Sequence, residues 1–309
     1  MRTPKTLVVL CAAFASAAGA ARAQLPTGHL LAAAVGSEAG YTSNRLGDSD
    51  GRGSGFVSTW PELRYAGLLA GNWELGARAA YWRREFLASD ASFEDELDGG
   101  LSSLATHGWL RVSVAADAGR FRNGDDPSDD NRWARLSPSA WCVDQAGREL
   151  GLRARVIYKQ YDSLQTWSGR DEDAVVWRVT PNLSWPCSEH LLAWVEAYVE
   201  GASSNEGEDE YDGVGARVGA IWTPRPKWRV EANLGAGRQT YDNVGDSEEN
   251  TWLAAARTRY RWNPWVDLFA AGNVESWNDR DGEAGDEWQV RCGMELTFER
   301  ELSGVAQRR

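Results

Sequence analysis

Arginine and glutamate recur at every second position along much of this chain, so its chemistry should lie in that spacing. Arg153 and Arg155 are two residues apart, as are Arg257 and Arg259. In an extended chain such neighbours point to the same side. One side then carries Arg78, Arg111, Arg153, Arg155, Arg178, Arg217, Arg257, Arg259 and Arg291, with Glu74, Asp117, Glu196, Glu231, Asp267, Glu275 and Glu295. Two kinds of chemistry suit this set. Unlike charges can pair across neighbouring strands and stiffen a wall, or opposed arcs of charge can set a field that sorts ions and small polar solutes.

Covalent and metal chemistry fit less well. The three histidines, His29, His107 and His190, fall at expected tight-turn ends, none beside a suitable Ser, so no catalytic residue is assigned and no enzyme activity is expected. Asp48-Ser49-Asp50-Gly51 and Asp279-Arg280-Asp281-Gly282 have calcium-loop spacing but lack the terminal Glu. No metal site and no cofactor is expected. Cys142, Cys187 and Cys292 are too few and too widely spaced for a disulfide scaffold and read as small apolar wall residues.

The elements that position the charges are strands. In 73–82, Trp73, Leu75, Ala77, Ala79 and Tyr81 oppose Glu74, Gly76, Arg78, Ala80 and Trp82. The same alternation runs through 148–159, 191–200, 228–234, 252–262 and 288–298. Leu136-Ser137-Pro138, Val179-Thr180-Pro181 and Trp222-Thr223-Pro224 recur every 43 residues, which fits two strands, a short turn and a long loop. Counting on gives about fourteen strands (twelve remain possible), with the least regular stretch at 93–122. Seventeen Trp and 32 Gly against two Met also argue for sheet.

The connections differ in charge. Seven stretches (45–54, 87–98, 122–132, 162–173, 200–212, 242–250 and 278–287) hold thirty of the 45 acidic residues and six basic ones, a net of −24. They read as solvated loops on one rim over a modestly cationic wall. The anionic crown argues against nucleic acid as a partner.

Aromatic residues gather at both strand ends. Tyr65, Trp73, Trp109, Trp141, Trp185, Trp228, Trp262 and Trp265 lie near the short turns. Tyr81, Tyr158, Trp177, Tyr198, Tyr241, Trp252, Trp277 and Trp288 lie near the acidic loops. Two aromatic girdles around an aliphatic band suit strands that cross a bilayer, and a soluble sandwich has no use for them. Residues 1–23 read as a cleaved signal peptide: Arg2 and Lys5, an apolar run from Leu7 to Ala18, then Ala21-Arg22-Ala23. The expected domains are this signal, a barrel over 24–298 and a tail over 299–309.

Through this pattern the chain resembles the Gram-negative outer-membrane β-barrel proteins, and among them the monomeric, roughly fourteen-stranded porin-like group. The resemblance covers 28–298 and implies an all-β fold: a closed, antiparallel, up-and-down transmembrane barrel in the bacterial outer membrane. The implied partners are the lipid bilayer, lipopolysaccharide, and small solutes or ions. Since about fourteen strands leave room for water, the leading expectation is a channel for small hydrophilic solutes. The alternative is a non-conducting barrel serving an export, adhesion or motility assembly, with an unidentified envelope partner. Trp288–Phe298 resembles the terminal strand of that group, although eleven residues follow it.

Overall fold

The computed structural model describes residues 29–43, 53–70, 72–87, 92–124, 130–161, 173–205, 210–241, 247–279 and 284–302. Fourteen strands run in chain order: β1 (His29–Thr42), β2 (Ser54–Ala70), β3 (Trp73–Phe86), β4 (Phe93–His107), β5 (Leu110–Asn123), β6 (Asn131–Val143) and β7 (Glu149–Tyr161), then β8 (Asp173–Ser188), β9 (Leu191–Ser204), β10 (Tyr211–Arg225), β11 (Trp228–Tyr241), β12 (Ser247–Asn263), β13 (Val266–Asp279) and β14 (Ala284–Leu302). Each pairs antiparallel with its sequence neighbours, and β1 pairs with β14 to close the barrel. Closure leaves no unpaired edge, the condition for backbone to stand in lipid. No helix of the structure is long and apolar enough to cross a membrane, which says nothing against strands that cross.

The solvent for which this fold is built can be read from its apolar side chains. Leu234 is 62% exposed, Leu101 68% and Val214 55%, whereas only six hydrophobic residues are buried among those described. In water such a surface would be an aggregation hazard; in hydrocarbon it is the correct exterior.

Proline and glycine sit where the ladder can spare them. Pro61, Pro138 and Pro181 occupy outward positions on β2, β6 and β8, and the pairing with the following strand skips each of them. A residue without an N–H is tolerated at such a gap. The β4–β5 turn is closed by Gly108 at φ 58°, where a side chain would be strained. Register shifts at Leu68/Ala70, Pro186/Ser188, Trp222/Arg225 and Arg261/Asn263 lie just before four of the short turns.

Three expectations need correction. Strand β4 starts at Phe93, inside the acidic stretch 87–98, so Glu94, Glu96 and Asp98 belong to the wall and not to a loop. Glu200, Glu249 and Glu287 likewise stand on strands. With these included, acidic and basic residues are nearly balanced on the inner face, and the modestly cationic wall does not survive. Strand β14 runs on to Leu302 and pairs with the start of β1, because Glu299 and Arg300 find partners in Ala32 and Leu31. The signal peptide and residues 303–309 lie outside the described residues.

Candidate functional site: the inner wall

Strand register sets the faces. Cross-strand partners share a face, and successive residues alternate. By this rule Glu74, Arg78, Arg111, Asp117, Arg153, Arg155, Arg178, Glu196 and Arg217 share the inner face. Glu231, Arg257, Arg259, Asp267, Glu275, Arg291 and Glu295 join them. The concave side is identified by contacts that reach past an intervening strand. Arg153 on β7 donates to Glu196 on β9 at 2.8 Å. Gln239 on β11 donates to Glu200 on β9 at 3.1 Å.

Two clusters organise much of this wall. In the first, Arg178 Nε donates to Glu200 Oε2 at 2.7 Å, and Tyr241 donates to Gln239 Oε1 at 2.9 Å. The Arg178 guanidinium lies 4.4 Å over the Tyr198 ring. Tyr198 lies flat because its neighbours are Gly215 and Gly237; a Cβ at either would overlap the Tyr198 side chain. In the second, Glu38 on β1 lies 3.4 Å from Arg291 on β14 and 3.9 Å from Arg84 on β3. Arg84 also reaches Ser58 at 3.3 Å and stacks over Phe56 at 4.4 Å. Neither Arg84 nor Glu38 stands out in the sequence, although Glu38 shares strand parity with Gly36 and Gly40.

Elsewhere Arg78 contacts Glu62 at 3.1 Å and Asp98, while Arg135 meets Asp117 at 3.1 Å. Arg259 and Arg261 share Asp267 at 3.7 and 3.2 Å. Among the described residues, Arg111, Arg155 and Arg257 have no carboxylate partner, and Arg257 instead lies 4.9 Å over the Phe269 ring.

The outer face holds Tyr65, Trp73, Tyr81, Tyr158, Trp177, Trp185, Trp228, Trp252, Trp262 and Trp288, with Trp109 and Trp265 in short turns. Trp141, Tyr198, Tyr241 and Trp277 point inward instead. Parity explains each case: Tyr198 alternates in step with Glu196 and Glu200, and Trp277 with Glu275. Together with Trp60, Trp82, Trp133 and Trp194, these rings make the interior far more aromatic than expected. Trp60 on β2 even touches Phe269 on β13, with ring centroids 6.1 Å apart.

The three histidines stay at the turn rim, where His29 bonds the Tyr65 hydroxyl at 2.6 Å. Cys142, Cys187 and Cys292 are free thiols. Among the described residues no group of His, Cys, Asp and Glu is arranged to hold a metal ion.

Closed barrels with this architecture are known. The fold matches the outer-membrane-expressed OmpT of Vibrio cholerae at a TM-score of 0.53 and 8% identity, covering 87% of this chain and 97% of that one. This is the fold of outer-membrane porins and channels. The barrel likewise resembles a bacterial polysaccharide outer-membrane secretin (TM-score 0.53, 12% identity, 86% and 98% covered). It also resembles the outer-membrane channel DcaP of Acinetobacter baumannii (TM-score 0.51, 14% identity, 88% and 98% covered). Residues 174–303, the half of the barrel from β8 to β14, match the model of a family described as putative MetA-pathway of phenol degradation. No curated protein matches the chain.

Proposed function

We propose that this barrel is an outer-membrane channel, delivered by a cleaved signal peptide, that passes small hydrophilic solutes through its Arg/Glu-lined interior. The observation that carries the reading is the inner wall: a closed fourteen-stranded ring whose charged side chains reach one another past intervening strands. Unpaired Arg111, Arg155 and Arg257 would supply weak sites for anions, and the acidic loop rim would tune entry. Uptake assays on proteoliposomes test this. Swelling in small sugars and carboxylates is expected, and rates equal to protein-free vesicles would contradict it.

One observation favours a narrower solute class. Inward rings such as Tyr198 and Trp133, with the Arg178 and Arg135 guanidinium groups 4.4 and 5.1 Å over them, suit planar aromatic anions, which stack on rings and pair with Arg. The phenol-degradation description of the matching family model agrees with that chemistry. Faster swelling in benzoate than in an aliphatic carboxylate of similar size would support the narrower class, and equal rates would remove it.

A further inference from the structure

The outer face of β5 and β6 carries a feature that no channel function requires. Arg120 and Arg132 are direct cross-strand partners, and both are exposed on the lipid side. Like charges placed opposite each other in a ladder repel. Neither has a carboxylate or hydrogen-bond partner among the described residues. Their neighbours one position further toward the loops are different: Arg122 grips Asp95 through two hydrogen bonds of 2.8 and 2.6 Å, and Arg83 reaches the same carboxylate at 3.8 Å.

Register fixes the height of the pair. Arg132 stands two residues beyond Ala134, whose partner on β7 is the girdle residue Tyr158, and the ladder from Arg120 through Leu97 ends on Tyr81, so the pair lies near the loop-side edge of the hydrocarbon. Immediately on the membrane side lies a groove of about 740 Å³. Gly99, Ala116, Ala118 and Ala134 form its floor, and Leu136 and Tyr158 line it. Small outward residues here leave a furrow in a wall that elsewhere presents Leu and Val.

An apolar furrow capped by two unpaired guanidinium groups at the bilayer edge fits one kind of occupant, a lipid with a phosphorylated head. Guanidinium forks bind phosphate oxygens in pairs, and long Arg stems can lie along apolar surface. The two facing arginines make this spot on the outer wall attractive to an anion, against the acidic β5–β6 loop beyond them. We propose that Arg120 and Arg132 bind a phosphate of the outer-leaflet glycolipid lipid A, with an acyl chain in the furrow below. The site rests on the barrel standing in the outer membrane with its acidic loops outward, but not on conduction.

Native mass spectrometry of the full barrel in neutral detergent tests the site, with diphosphoryl lipid A, monophosphoryl lipid A and phosphatidylethanolamine as probes. The expected order of retention is that same order. Arg120→Gln with Arg132→Gln should weaken diphosphoryl lipid A by about tenfold, and Ala118→Leu with Ala134→Leu should weaken all three by filling the furrow. Arg238→Gln, which alters an outward arginine paired with Glu248, should change nothing. Excess inorganic phosphate should not displace the lipid; displacement by phosphate alone would mean a simple anion site and overturn the proposal. Equal retention of all three lipids by the wild type would also overturn it, as would undiminished binding by a folded Arg120/Arg132 variant. If that variant fails to fold, the lipid series and the furrow variant decide. Single-channel activity is unaffected by either result, so failure here is distinct from failure of the channel reading.

Discussion

Strands β5 and β6 carry charge on both faces, and the two faces treat it differently. Inside, Arg135 meets Asp117 at 3.1 Å. Outside, Arg120 faces Arg132, and neither meets a carboxylate among the described residues. The same two strands thus pair Arg135 with Asp117 inside and leave the outer pair for something else. The lesson is that each face answers to its own solvent: water and polar partners inside, hydrocarbon bounded by charged headgroups outside.

The largest effect that could break this comparison comes from placing a charge in the lipid band. Leu234, mid-strand on β11, is exposed on the outer face, and Leu234→Arg should cost about 2–4 kcal/mol in vesicle unfolding experiments. Asn233→Arg, one residue away and inward, should cost less than about 1 kcal/mol. Similar costs for the two would mean that the faces do not see different solvents.

Next comes Glu200→Gln. It removes the charge that Arg178 and Gln239 share in a buried cluster, so a loss of about 3 kcal/mol is expected in the same assay. A negligible loss would show that the inner pairs are solvated and only incidental to the wall. Gly215→Ala should be milder, about 1–3 kcal/mol, because its methyl overlaps the Tyr198 ring and forces it off the wall. Tyrosine fluorescence and conductance should shift together in that variant.

The smallest effect lies outside the membrane. In the β6–β7 turn the Asp144 carboxyl accepts the Arg148 backbone N–H and its guanidinium at 2.9 and 2.6 Å, which holds its pKa below the usual carboxylate range. A depressed carboxylate contributes above its unfolded pKa and loses that contribution as pH falls through the folded one. The turn is fully exposed, so Arg148→Ala should leave thermal stability at neutral pH within error.

Much of this was legible in the sequence because strand parity is a strong signal wherever lipid sits on one side. Arg153 and Arg155, or Trp252 through Trp262, could be sorted by counting in twos. Trp141, Tyr198, Tyr241 and Trp277 are not sorted by their place near a strand end, because a Trp or Tyr there suits either face and only parity separates the two. The acids of β4 were hidden for another reason: Glu94 to Asp98 contain too little apolar residue to look like strand, yet alternate strands of the barrel tolerate that when the inner face is wet. Pairing choices such as Arg84 with Glu38 depend on side chains from β1 and β3 meeting past β2, and no local pattern encodes them. The unpaired state of Arg120 and Arg132 likewise depends on register.

The most direct test of the channel reading is single-channel recording of the purified, folded barrel in a planar bilayer. Discrete conductance steps are expected, with an ion preference that shifts when Arg257 and Arg259 are both reversed to Glu. A folded barrel that inserts and gives no steps would contradict it and leave a structural or assembly role for the fold.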